Sequence, residues 1–234
     1  MTLFDKAPKS PRPSSLRYKA SRETRVVASR TATAAECLGE LNPGDHITGL
    51  TAGQFSAIDA MEHIVNQCGR ADVDITTWTT GIYDIERTKQ INESGRINKI
   101  RVLLDRANFE KSPSFAGPLI EKLGVDAFRC ASIHAKFIIV RGDKMGAVFR
   151  SSMNLNKNLR VEHFDLDVCD AMVGFYSGWF ESAWDDAGKS NNNSEIIKAI
   201  FDRYSLIEPN QTETISPFAI DDRGVREFGV WKAF

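Results

Sequence analysis

The chain has 234 residues and a mass of 26.1 kDa, with 42% hydrophobic and 26% charged residues and a formal net charge of −1. That is enough apolar material for one large domain or two small ones, and it excludes a chain disordered throughout. Its longest apolar runs, such as Phe137 to Val140, fall far short of the roughly 20 residues that span a bilayer, so no transmembrane helix is expected.

The near-neutral total hides an uneven distribution. Residues 1–30 hold Lys6, Lys9, Arg12, Arg17, Lys19, Arg22, Arg25 and Arg30 against only Asp5 and Glu23, a net +6 that leaves −7 on the remainder. With Pro8, Pro11, Pro13, Ser14 and Ser15 and few apolar residues, this segment reads as a basic, flexible arm. A solvated tail would account for the charge. So would a phosphate-binding arm, in which Lys6, Lys9, Arg12, Arg17, Lys19, Arg22 and Arg25 hold a nucleic acid without reading its sequence. The arm lacks the apolar stretch of a secretory leader. Cys37, Cys68, Cys130 and Cys169 form no Cys-x-x-Cys pair, which argues against zinc and against a disulfide scaffold. They read as buried thiols in a reducing compartment, so a cytoplasmic location is expected.

From about Thr33 helical and strand-like segments alternate, the order that builds an α/β domain over residues 31–206. Phe55, Ile58, Met61, Ile64 and Val65 recur at three- and four-residue spacing and predict one helical face. Val73 to Thr79 is β-branched and alternating, hence a strand. A polar helix follows over residues 82–93, and Lys99 to Leu104 is the next strand. Pro118 to Leu123 reads as a short helix and Val125 to Cys130 as a short strand. The strongest strand signal is His134 to Val140, followed after a Gly-bearing hairpin connector by Ala147 to Arg150. Glu162 to Cys169 alternates again, and helices are expected near residues 171–187 and 194–204. Residues 207–234 form a tail with an apolar end, Phe228 to Phe234. Its apolar residues must pack on this domain or on a partner.

On a strand, His134 and Lys136 project from one face. The hairpin then returns to Ser152 and Asn154, and Glu162 opens another strand. This arrangement resembles the phospholipase D-like superfamily, whose pattern is His-x-Lys-x4-Asp followed by Gly-Ser-x-Asn. His134, Lys136, Ser152 and Asn154 match it over residues 130–168, and Glu162 matches the family's continuation. Arg141 stands where the family has Asp, and Ser151 where it has Gly.

The resemblance implies a phospholipase D-like fold, a mixed sheet flanked by helices, with one such motif in the chain. It implies a metal-independent phosphodiesterase with no cofactor. One His134 would attack phosphorus to form a phosphohistidine, and a second would protonate the leaving oxygen. Lys136 and Asn154 would bind phosphate oxygens, with Ser152 nearby and Glu162 orienting an imidazole. His46, His63 and His163 are not followed by a Lys two places on, so the chain holds half a site; short family members complete theirs as homodimers on a two-fold axis. His46 reads as a loop residue and His63 as a helix-surface residue, while His163 faces away from Glu162. The short single-motif form and the basic arm favour nucleic acid over phospholipid, DNA is the expected partner ahead of RNA, and no basic amphipathic helix suggests membrane binding. The expected activity is that of a nuclease. The alternative is a catalytically degenerate member that serves as a dimeric nucleic-acid-binding or assembly component.

Overall fold

The computed structural model describes residues 24–28, 33–79, 82–106, 117, 120–155, 160–189, 195–199 and 202. Eight strands form one sheet: β1 (Thr24–Ala28), β2 (His46–Thr51), β3 (Ala71–Thr77), β4 (Ile97–Asp105), β5 (Phe128–Ala131), β6 (Phe137–Gly142), β7 (Gly146–Ser151) and β8 (Glu162–Asp167). Their order across the sheet is β1-β2-β8-β7-β6-β3-β4-β5. β1 and β2 run parallel, as do β3, β4 and β5, while the four central pairings from β2 through β8, β7 and β6 to β3 are antiparallel. Helices α1 (Ala34–Leu38), α2 (Ala57–Cys68), α3 (Ile82–Glu93) and α4 (Asp170–Lys189) complete the mixed α/β architecture.

Alternation along the strands sorts side chains to the two faces. Ile138, Val140, Ala147 and Phe149 enter one core with Ile58, Met61, Ile64 and Val65 of α2. Leu103, Phe137, Ile139 and Val148 enter a second core with Met172, Phe180, Ala183 and Trp184 of α4. The sheet is therefore covered on both sides. Local chemistry sets the helix starts: Thr33 caps α1 and Ser56 caps α2, each in a reciprocal capping box, with Glu36 and Asp59 respectively. At the β6–β7 turn, a Cβ on Gly142 would lie 2.2 Å from the Cys68 carbonyl oxygen, so only glycine lets the hairpin tuck under the end of α2.

Several expectations need correction. Thr24–Ala28, inside the segment read as a flexible arm, is a strand paired with β2, and Arg25 lies in it. His46 opens β2 and is not a loop residue, and α1 was not foreseen. β3 ends at Thr77, leaving Trp78 and Thr79 beyond it. Residues 125–127 form a 3₁₀ turn before β5. β6 starts at Phe137, so His134 and Lys136 precede the strand. Residues 195–199 are helical within the expected terminal helix, with Ile196 and Ile197 buried. Lys6, Lys9, Arg12, Arg17, Lys19 and Arg22, and the tail at 207–234, lie outside the described residues. No described helix is long and apolar enough to cross a membrane. All four cysteines are free; Cys169 is half-buried and the other three are buried.

Candidate active site

The strand directions gather the candidate residues at one end of the sheet. Because Phe137 pairs with Thr76 and with Arg150, the start of β6 lies beside the ends of β3 and β7. Ser151 pairs with Phe164 and Thr51 with Glu162, which brings the start of β8 and the end of β2 to the same edge. His134, Lys136, Ser152, Asn154 and Glu162 all sit in or just beyond these strand ends.

Although His134 and Lys136 lie outside the strand, they remain together. Lys136 Nζ is 3.4 Å from His134 Nδ1 and donates to the His134 carbonyl at 2.9 Å. The ladder reaches one residue past β6, since Ser151 N donates to the Lys136 carbonyl at 3.1 Å. His134 is exposed, and its Nε2 has no hydrogen-bond partner among the described residues. Lys136 is half-buried, and burial pushes its pKa below the ordinary lysine value, against the upward pull of Glu162 and Asp105.

Ser152 donates to Glu162 and accepts from the His163 backbone N–H at 3.1 Å. The Ser151 hydroxyl donates to the His163 carbonyl at 2.7 Å and accepts from Met153 N at 2.9 Å, which fixes the turn out of β7. That turn places Asn154, whose Oδ1 is buried without a hydrogen-bond partner among the described residues. A buried amide oxygen left unpaired costs about 1–3 kcal/mol. Such a group is tolerated where a ligand or another chain supplies its partner.

The five residues thus fall into two contacting pairs, His134 with Lys136 and Ser152 with Glu162, with Asn154 beside them. The charge of Glu162 reaches Lys136 and couples the pairs. No hydrogen bond joins Glu162 to His134 within the described residues. His163 is exposed and meets Ser151 and Ser152 through its backbone. His63 is half-buried on α2, its Nε2 2.8 Å from the Gly39 carbonyl, and His46 Nδ1 lies 2.8 Å from Asp167 Oδ1 at the opposite end of the sheet.

Three neighbours escaped the sequence reading. Asp105 ends β4, accepts from Ile133 N at 3.2 Å and lies close enough to act on Lys136. Thr77 accepts from Leu155 N at 3.2 Å and donates to the Thr79 carbonyl at 2.8 Å, tying the end of β3 to the segment that carries Asn154. Trp78 sets its ring 5.7 Å from the His134 imidazole. Position at a strand end was the available signal for all three.

Arg141 lies at the far end of β6. Its guanidinium pairs with buried Asp74 at 2.6 Å and donates to Ser177 at 3.1 Å, so it is a packing element and touches none of the five candidate residues. Among the described residues no three His, Cys, Asp or Glu side chains converge as a metal-binding group.

No family model matches the chain, and no curated protein matches it. Among solved structures the chain is similar to NucT from Helicobacter pylori, at 14% identity and TM-score 0.44 over 60% of this chain and 97% of that one. It is similar to polyphosphate kinase from Porphyromonas gingivalis at 13% identity and TM-score 0.42, over 68% of this chain and 30% of that one. It is also similar to TrmBL2, an archaeal chromatin protein described as showing a novel mode of DNA binding, at 12% identity and TM-score 0.38, over 55% of this chain and 48% of that one. The chain therefore spans about half of the chromatin protein and under a third of the kinase.

Proposed function

We propose that the protein is a phosphodiesterase that cleaves nucleic acid without a metal ion, acting in the cytoplasm as a homodimer with the site shared between subunits. The observation that carries this reading is the convergence of the His134–Lys136 and Ser152–Glu162 pairs, with Asn154, at one end of the sheet. An exposed imidazole with an open nitrogen is a suitable nucleophile, and a half-buried ammonium beside it would neutralise charge developing on the phosphoryl oxygens.

In this reading one His134 nitrogen attacks phosphorus and the bond to the leaving oxygen breaks, while His134 of the partner subunit donates a proton to that oxygen. The same partner imidazole then takes a proton from water, which displaces the phosphohistidine and regenerates both groups. Lys136 and the Asn154 amide hold the non-bridging oxygens. Glu162 orients the imidazole brought by the partner, and Ser152 fixes the carboxylate. Arg and Lys of residues 1–25 bind phosphates along the strand, with DNA preferred to RNA.

The test is cleavage of plasmid and single-stranded DNA in EDTA at low salt and near-neutral pH, with wild type beside His134→Ala. Wild type is expected to cut and the variant to bind without cutting. Salt-sensitive binding with no cutting by either would establish instead a binding module that keeps the fold.

A further inference from the structure

Trp78 has no part in the scheme above, yet it stands at its centre. Of the large apolar side chains exposed among the described residues, Leu50, Trp78 and Val161, it is the one aromatic, with 38% of its surface in solvent. A tryptophan held partly in water forgoes much of the burial that a ring of its size otherwise gains. Its ring centroid lies 5.7 Å from that of His134 at an interplanar angle of 51°, so the two rings are tilted and not stacked.

The backbone around it is pinned. Thr77 and Thr79 flank Trp78, Thr77 Oγ1 donates to the Thr79 carbonyl at 2.8 Å, and Leu155 N is shared between Thr77 Oγ1 at 3.2 Å and the Thr79 carbonyl at 3.1 Å. The indole is thus presented from a turn fastened on both sides. It is also fixed relative to Asn154, one residue before Leu155. With the ring centroids 5.7 Å apart, a phosphate on the His134 imidazole has its adjoining sugar and base within reach of this ring.

Resting on the phosphodiesterase reading, we infer that Trp78 is a stacking platform for the nucleobase next to the scissile phosphate, and that the substrate is single-stranded nucleic acid. A base inside a duplex has both faces occupied by its neighbours, whereas an unstacked base offers one to an aromatic side chain. Stacking tolerates every base, so the platform confers strand selectivity without sequence preference.

The test measures binding on the His134→Ala protein, so that it does not depend on turnover. The probes are a thymidine homo-oligomer and an abasic oligomer of the same length and backbone, titrated by fluorescence anisotropy. Trp78→Ala is expected to weaken binding of the base-bearing strand roughly ten- to hundredfold and to leave the abasic strand unchanged, since one base stacked on one aromatic ring is worth that much. Trp78→Phe keeps a ring and is expected to retain most of the affinity. Equal affinity of the parent for both strands, or equal loss on both in Trp78→Ala, overturns the inference and leaves Trp78 a support for the His134 ring. Catalytic wild type that cuts both strands equally well keeps the phosphodiesterase reading while overturning this one; a wild type that cuts neither while Trp78 discriminates bases overturns the phosphodiesterase alone.

Discussion

Burial lowers the Lys136 pKa although Glu162 and Asp105 both pull it upward, so the fold places this ammonium where water would be the better solvent for it. The sign of the linkage follows. A lysine whose folded pKa lies below its unfolded value binds its proton more tightly in the unfolded chain, so at neutral pH its charge destabilises the fold. That cost is relieved only as pH rises through the folded value toward the unfolded one. Lys136→Met is therefore expected to raise the thermal midpoint at pH 7 while weakening strand binding; an unchanged or lower midpoint would contradict the strain. The proposed phosphate contact uses the protonated form, so binding of a single-stranded oligomer by His134→Ala should fall on the alkaline side at a pH below the ordinary lysine value of 10.5. Lys136→Arg, which stays protonated, should remove that fall.

At the scale of elements, the Arg141 substitution finds its explanation on β3. Asp74, only 1% exposed, receives Arg101 through two hydrogen bonds, Nε to Oδ1 at 2.7 Å and Nη2 to Oδ2 at 2.9 Å, and Arg141 at 2.6 Å. Glu181 of α4 meets the other side of Arg101, whose guanidinium lies 5.0 Å from the Phe180 ring centroid and 5.3 Å from that of Trp184. Hydrogen bonds donated to Glu181 first, and to Asp74, hold Arg101 charged against its burial. The cluster fastens α4 to the sheet, and removing its central acid strands two cations. Asp74→Asn should cost about 3 kcal/mol in denaturant unfolding, the lower end for a broken buried pair because Glu181 remains. Arg141→Asp sets a carboxylate beside Asp74, so it should destabilise the protein without raising activity. A gain in cleavage would show that position 141 acts on the site. This cluster also marks where sequence reading stopped. Alternation made β3 and β8 legible, through Val73 and Ile75 and through Phe164 and Leu166, whereas β4, β6 and β7 were legible as short continuous apolar runs such as Phe137 to Val140. β2 was not, since Gly49 and the polar residues His46 and Thr48 mask its buried Ile47. β1 was not, because Val26 and Val27 stand in a basic segment and become a strand only by pairing with β2. Asp74 and Arg101 are charged residues within their strands, and only their mutual pairing across β3 and β4 lets them be buried under α4. Among the site residues, His134, Lys136, Ser152, Asn154 and Glu162 were readable as a spaced motif, whereas Trp78, Thr77 and Asp105 join them through strand ends that lie far apart in the chain.

At the scale of the whole molecule, one chain offers a single His-x-Lys pair, and among the described residues the Glu162 carboxylate accepts from Ser152 while no donor reaches the Asn154 amide oxygen. A two-fold axis through this end of the sheet would bring each group to the copy of another, because an isologous contact sets residue i against j and j against i. The arrangement has a quantitative consequence when subunits exchange. If each dimer has one site that needs both His134 side chains, as nucleophile and as acid, a mixed dimer of wild type and His134→Ala is inactive, and activity falls as the square of the wild-type fraction. An equal mixture after exchange should then retain about a quarter of the wild-type activity, where independent sites would retain about a half. The measurement is cleavage rate against mixing ratio, with exchange followed by mass after differential labelling. A linear decline, or a chain that stays monomeric at the assay concentration while cutting, would show that the missing half of the site lies within one protomer.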